Sequence, residues 1–143
     1  MIALIIATHG AFSREIVKSA EMIFGKQENV ATVTFSPGEG PDDLKRKYEE
    51  ALHGLDVRDG LLFMVDLFGG SPFNAASNFA AGKENMDVIT GLSLPMLIEC
   101  FSKRDSLNLE ALVDEMSQTA VEGVKSLNKT LGEAENDSGE DDF

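Results

Sequence analysis

Four short apolar runs, each separated from the next by a stretch with helical periodicity, restrict this chain to a narrow set of folds. Ile2-Ala3-Leu4-Ile5-Ile6-Ala7-Thr8 is almost uniformly apolar, as a strand covered on both faces must be. Ile16, Val17, Ala20, Ile23 and Phe24 then recur at helical spacing, and Gly25 supplies a stop. Val30 to Phe35 reads as a second strand. Pro41 suits the first turn of the next helix, with Asp42 and Asp43 at its positive end and Leu44, Tyr48, Ala51 and Leu52 on its inner face. Gly60 to Asp66 and Met86 to Thr90 are the third and fourth strands, flanking a helix capped by Ser71, with Pro72 in its first turn, that runs to about Ala81. A short buried helix is expected from Pro95 through Phe101, and a longer one is capped by Asn108, with Leu109, Leu112, Val113, Met116 and Ala120 inside and Gly123 at its end. Val124 to Leu127 then remains as a short edge strand. Strands alternating with helices predict a three-layer α/β/α fold around a mostly parallel sheet with four parallel strands.

Length and charge narrow the reading further. One domain is expected in 143 residues, covering about 1 to 130. The net charge is −13, and residues 131 to 143 form an acidic tail with Glu133, Glu135, Asp137, Glu140, Asp141 and Asp142 and no base. Such a tail buries too little apolar surface to order itself, so it is expected to be disordered. An acidic body with no basic stripe argues against nucleic acid or an anionic membrane as partner. No run has a membrane-spanning length, no secretory leader is recognisable, and the single Cys100 can form no internal disulfide. A reducing, cytoplasmic setting is the natural expectation.

In open α/β sheets, ligands gather at the carboxyl ends of the strands, where the strand order reverses. Those ends here carry Thr8-His9-Gly10, Asp66 followed by Gly69-Gly70-Ser71, and Thr90-Gly91. An aspartate that accepts a hydrogen bond from one imidazole nitrogen leaves the other free as a nucleophile and stabilises charge that develops on the ring. Loops entering helix N-termini offer backbone N–H groups to phosphoryl oxygens, and Gly10, Gly69, Gly70 and Ser71 lie in such loops. From the residues alone the plainer readings stay open: an incidental His9, an Asp66 that caps a loop, a Gly-Gly-Ser-Pro that is only a tight turn. His53, before a glycine at a helix end, reads as structural. No metal-ligand spacing or nucleotide-binding Gly-x-x-x-x-Gly-Lys-Ser/Thr loop is present, and no cofactor is expected.

Three segments occur in order: Ile5-Ile6-Ala7-Thr8-His9-Gly10, Val65 to Ala76 with its Asp66-Leu67-Phe68-Gly69-Gly70-Ser71-Pro72-Phe73-Asn74 core, and Gly91-Leu92-Ser93-Leu94-Pro95-Met96-Leu97. Together they resemble the IIA component of the mannose-type, phosphoenolpyruvate-dependent sugar phosphotransferase system over about residues 1 to 130. The resemblance implies a phosphotransferase in which His9 is phosphorylated, Asp66 orients it and Ser71 lies beside the phosphate. It implies phospho-HPr as donor, a IIB component as acceptor, membrane IIC and IID components acting indirectly, and a homodimer that exchanges its last, antiparallel strand. Ser93 stands where the family often has asparagine. The acidic tail occupies the place of a fused IIB domain, which leaves either a separate IIB chain or a role outside transport. Other readings are a signalling receiver domain, disfavoured because Thr8-His9 replaces a magnesium-binding acidic pair, the phosphotransferase subunit of a dihydroxyacetone kinase, and a regulatory module that reports phosphorylation state.

Overall fold

The computed structural model describes residues 1–141. Its elements follow in the order β1 (Ala3–His9), α1 (Phe12–Phe24), β2 (Val30–Phe35), α2 (Pro41–His53), β3 (Leu61–Val65), α3 (Ser71–Ala80), β4 (Met86–Ile89), α4 (Leu94–Lys103), α5 (Leu109–Glu122) and α6 (Leu127–Asp141). The four strands form one all-parallel sheet in the order β2-β1-β3-β4. The chain therefore moves outward in one direction from β1 to β2, then returns past β1 to β3. The reversal places a crevice between the carboxyl ends of β1 and β3.

The apolar runs divide their side chains between two cores. Ile2, Leu4 and Ile6 join Leu62 and Met64 on the face covered by α1, α4 and α5. Ala3, Ile5 and Ala7 join Leu61, Phe63 and Val65 on the face covered by α2 and α3, where Leu44, Tyr48 and Ala76 are completely buried. Alternation along each strand feeds both layers, which is why the strands are apolar throughout rather than at every second residue. On the helices, Leu112 and Met116 of α5 are buried as their spacing predicts. Ile23 and Phe24 are more exposed than their helical spacing implies, and Phe24 rests against Phe101.

Several element ends differ from expectation by a residue. Gly70, with extended backbone, is the N-cap of α3, so Ser71 is its first helical residue. Helix α4 begins at Leu94 because Ser93 caps it, its hydroxyl accepting from the Met96 N–H at 3.4 Å. Asn108 caps α5 as expected, accepting from the Ala111 N–H at 2.8 Å.

The C-terminal segment departs further. No strand forms over 124–127. Residues 124–126 lie outside regular structure, and Leu127 opens a helix. The Ser126 hydroxyl accepts from the Lys129 N–H, and the Ser126 carbonyl accepts from the Thr130 N–H at 2.9 Å. Those local bonds start a helix at this point in place of the expected strand. The acidic tail, expected to lack order, continues as α6 to Asp141, while positions 142 and 143 lie outside the described residues. Leucine, alanine and glutamate are good helix formers, which explains the local preference. From 127 to 136 only Gly132 is even partly covered, so that stretch of α6 adds nothing to either core.

At the amino end of the sheet one buried cation replaces what would otherwise be unpaired backbone. Arg104, 2% exposed, donates to the carbonyls of Ile2, Glu28 and Asn29 and to the Gln27 side-chain oxygen. It ties the end of α4 to the entries of β1 and β2, far from the crevice. Nearby Cys100 is fully buried, and burial pushes its thiol up to about 12, so it stays protonated and unreactive at neutral pH. Arg104→Ala strands several buried acceptors and is expected to cost on the order of 3 kcal/mol in urea unfolding. Arg104→Lys, with one ammonium for several acceptors, should recover only part of that. A loss below about 1 kcal/mol in the alanine variant would contradict this account.

Candidate functional site

The crevice between β1 and β3 holds the two residues singled out at the strand ends. His9 is the last residue of β1, and Asp66 follows β3 directly. The β1–β3 register ends at Ala7 opposite Val65, after which the Asp66 side chain takes over as acceptor. Its Oδ2 accepts from the His9 backbone N–H at 3.0 Å and lies 3.0 Å from His9 Nδ1. Its Oδ1 accepts from the Leu67 N–H at 3.1 Å. An ionised carboxylate has only acceptor sites, so the Nδ1 proton of the neutral ring points to Asp66 and Nε2 is left with a lone pair. The His9 side chain is 45% exposed, whereas that of Asp66 is 17% exposed. The orienting group is thus sheltered and the ring it orients is open to solvent.

Local packing fixes the ring's other sides. The edge-on Phe35 ring lies with its centroid 5.8 Å from that of His9. Behind it, the buried Thr8 hydroxyl accepts from the Ser13 N–H at 2.7 Å, and the Ser13 hydroxyl donates to the Val33 carbonyl at 2.9 Å. Those two bonds anchor the start of α1 to β1 and β2, immediately after His9.

The opposite wall is the Gly69-Gly70-Ser71 turn. A methyl group on Gly70 would stand 3.1 Å from His9 Cε1, closer than ordinary contact, so glycine permits the loop to pass against the ring. Among the described residues, the N–H groups of Gly69, Gly70 and Ser71 donate to no protein acceptor. They stand at the positive end of α3, where an anion is favoured. Gly10 differs from the other predicted donors: its N–H is already engaged by the Phe35 carbonyl at 2.8 Å. The structure therefore brings His9, Asp66 and Gly70 together, with Gly69 and Ser71 flanking Gly70 in the turn, and directs the Gly10 amide elsewhere. His53 ends α2, the element on which its structural reading rests.

One contributor escaped the strand-end reading. The buried Tyr48 hydroxyl donates to the Pro72 carbonyl at 2.8 Å, tying α2 to the first turn of α3. Burial, and secondarily the Asp66 carboxylate, hold that phenol above the ordinary tyrosine range, so it remains a donor. Its sequence signal is only that of a core position on α2. Around the site, Phe12, Leu67 and Phe68 are exposed, and Phe68 packs on Phe73 at 4.7 Å between ring centroids. An oriented imidazole with an open nitrogen, beside unpaired amide donors and an apolar rim, can receive an anionic electrophile from another macromolecule.

Comparison with known proteins gives consistent matches over most of the chain. A family model described as "PTS system fructose IIA component" matches residues 3–117. The mannose-specific EIIAB component of the phosphotransferase system from Escherichia coli K12 is 46% identical over 127 residues, covering 88% of this chain. The chain spans 39% of the length of that relative. The fructose-specific EIIA component of Bacillus subtilis is 39% identical over 145 residues, covering 94% of this chain and 99% of its own. A crystal structure of a phosphotransferase system EIIA component from Streptococcus agalactiae superimposes with a TM-score of 0.81 at 30% identity, covering 90% and 99% of the two chains.

The tight Gly70 contact gives a direct test of the geometry. Gly70→Ala should displace the imidazole and break the Nδ1–H bond to Asp66, so that the Nδ1 proton, observable by NMR in the unmodified chain, exchanges too fast to detect. Its melting temperature should stay within about 3 °C, because the φ at this position suits alanine and the site is not core. An unchanged Nδ1 proton signal in the variant would mean the turn does not press on the ring.

Proposed function

Because the chain belongs to the family of phosphotransferase-system IIA components described by the fructose IIA model, we propose that it is a phosphocarrier that receives a phosphoryl group on His9 from the phosphohistidine of HPr and passes it to a histidine of a IIB component during sugar uptake. The observation that carries this reading is the His9–Asp66 pair: Nδ1 is 3.0 Å from a sheltered carboxylate on a ring whose other face is open. In the forward step Nε2 attacks the phosphorus, and the donor's P–N bond breaks to release its imidazole. Asp66 offsets the positive charge that develops on the ring. In the return step the acceptor's nitrogen attacks and His9 leaves. Transfer between two imidazoles is close to isoenergetic, so positioning and electrostatic support rather than a new driving force govern its rate.

The remaining features fit the same reading. The unpaired amides of Gly69, Gly70 and Ser71, with the Ser71 hydroxyl, would cradle the phosphoryl oxygens. The exposed Phe12, Leu67 and Phe68 would form a rim on which donor and acceptor dock in turn. No helix among the described residues is long and apolar enough to cross a membrane, which agrees with a cytoplasmic carrier serving membrane components indirectly. A homodimer is also proposed. Val121, Val124, Leu127 and Leu131 are exposed, and among the described residues no strand pairs with the outer edge of β4. Sedimentation at micromolar concentration should give a dimer, and a stable monomer would contradict that assignment.

The central test uses phosphoenolpyruvate, enzyme I and HPr, with the labelled residue mapped. Label should appear on His9, be acid-labile and alkali-stable, and vanish in His9→Ala. Asp66→Asn keeps the shape but removes the charge and can donate to Nδ1, favouring the wrong tautomer, so transfer should slow about a hundredfold with little change in thermal unfolding. Label on His53, or wild-type transfer in Asp66→Asn, would overturn the reading.

A further inference from the structure

Two successive peptide groups beside His9 carry N–H donors with no protein acceptor in ordinary hydrogen-bond geometry, and one residue outside the site, Asn74, holds both of their carbonyls, one through its side chain and one through its backbone. Asn74, in the second turn of α3, donates from Nδ2 to the Gly69 carbonyl at 3.2 Å. Its own backbone N–H donates to the Gly70 carbonyl at 2.9 Å. In a trans peptide the carbonyl and the following N–H point in opposite directions. Tying the Gly69 carbonyl to Asn74 therefore turns the Gly70 N–H away from α3, and tying the Gly70 carbonyl along the helix does the same for the Ser71 N–H.

The two bonds are not equivalent. The one to Gly70 is an ordinary helical bond that any residue at position 74 would make. The one to Gly69 depends on the asparagine amide. Gly69 has φ +80°, and with no Cβ it can exchange that conformation for others at little cost. The turn over 67–70 restrains the Gly69–Gly70 peptide plane only loosely, because the Gly70 N–H makes no bond of ordinary geometry to the Leu67 carbonyl, and only some orientations of that plane aim the N–H at a group on His9. A donor that must reorient during reaction is worth less than one already aimed.

We propose that Asn74 is a positioning residue for phosphoryl transfer: its side-chain amide locks the Gly69–Gly70 peptide so that the Gly70 N–H is aimed before the phosphoryl group arrives. This rests on the phosphocarrier reading of His9. Asn74 acts through the Gly70 amide and makes no contact with the reacting atoms. Asparagine suits the role because it donates without adding charge. Aspartate at this position has no proton to give and would repel the Gly69 carbonyl.

The experiment compares the unmodified chain with Asn74→Ala and Asn74→Asp in three measurements. The first is single-turnover phosphorylation of His9 by phosphoramidate, a small donor that needs no docking surface. The second is the same reaction with phosphorylated HPr across donor concentrations. The third is the NMR position and line width of the Gly70 amide in the unphosphorylated chain. Both variants should accept phosphate about tenfold more slowly from phosphoramidate and from saturating HPr, with the half-saturating HPr concentration unchanged. The Gly70 amide should shift and broaden, and melting temperatures should stay within about 3 °C because Asn74 is exposed. Wild-type rates with phosphoramidate, a loss seen only as weaker half-saturation with HPr, or an unmoved Gly70 amide would overturn the proposal. Failure of the unmodified chain to accept phosphate on His9 would instead sink the phosphocarrier reading, and the role of Asn74 with it.

Discussion

A carboxylate placed one residue past the end of β3 meets an imidazole at the end of β1, and the use of the fold turns on that meeting. Asp66 Oδ2 accepts both the backbone N–H and the Nδ1–H of His9, so a single oxygen fixes where β1 ends and which ring nitrogen stays free. Neither residue can be moved independently. A shift of β1 against β3 would carry the ring away from its acceptor, and the fully buried Ile5, Ile6, Phe63 and Met64 hold that register. The cores on the two faces of the sheet thus serve the site indirectly, by making the β1–β3 boundary too tightly packed to slide.

The division between a sheltered orienting group and an open ring suits the proposed carrier, which would meet two partners in succession. A nucleophile on a deep cavity floor would be closed to another protein's histidine. Here the histidine stands at a strand end with its ring half exposed, the Gly69-Gly70-Ser71 turn at one side and exposed apolar residues near it. The turn is shaped by what it must pass: a Cβ at position 70 would press on His9 at 3.1 Å, and the carbonyls of Gly69, Gly70 and Pro72 are each taken up by Asn74 or Tyr48. With the carbonyls occupied elsewhere, the turn offers an anion its N–H groups.

Much of this is legible from the amino acids because the dominant signals are local. Uniform apolar runs locate the four strands to within a residue or two, and the proline-first and asparagine-capped helices start within a residue of where those residues place them. The pairing of His9 with Asp66 is legible only through a fold-level rule, since the residues lie far apart in the chain and meet because parallel strands end together. The signal fails where the decisive bond is long-range or depends on what is absent. Arg104 looks like a surface residue at a helix end, yet it satisfies carbonyls contributed from the start of β1 and the approach to β2. Gly10 looks like an anion donor, but its N–H is claimed by Phe35 across the sheet. Residues 124 to 127 are open to a strand reading, yet the Ser126 side chain accepts from the Lys129 N–H and a helix starts at Leu127 instead.

The claim beneath all of this is that Asp66 commits the Nδ1 proton, so that chemistry happens at Nε2. The measurement that addresses it most directly is NMR on the ring-15N-labelled chain, phosphorylated through HPr, with phosphorus–nitrogen coupling used to identify the modified atom. The account predicts coupling to Nε2 of His9, with Nδ1 still protonated. Phosphate on Nδ1 would contradict it, because that nitrogen could not then donate to Asp66 and the pair could not be what orients the ring.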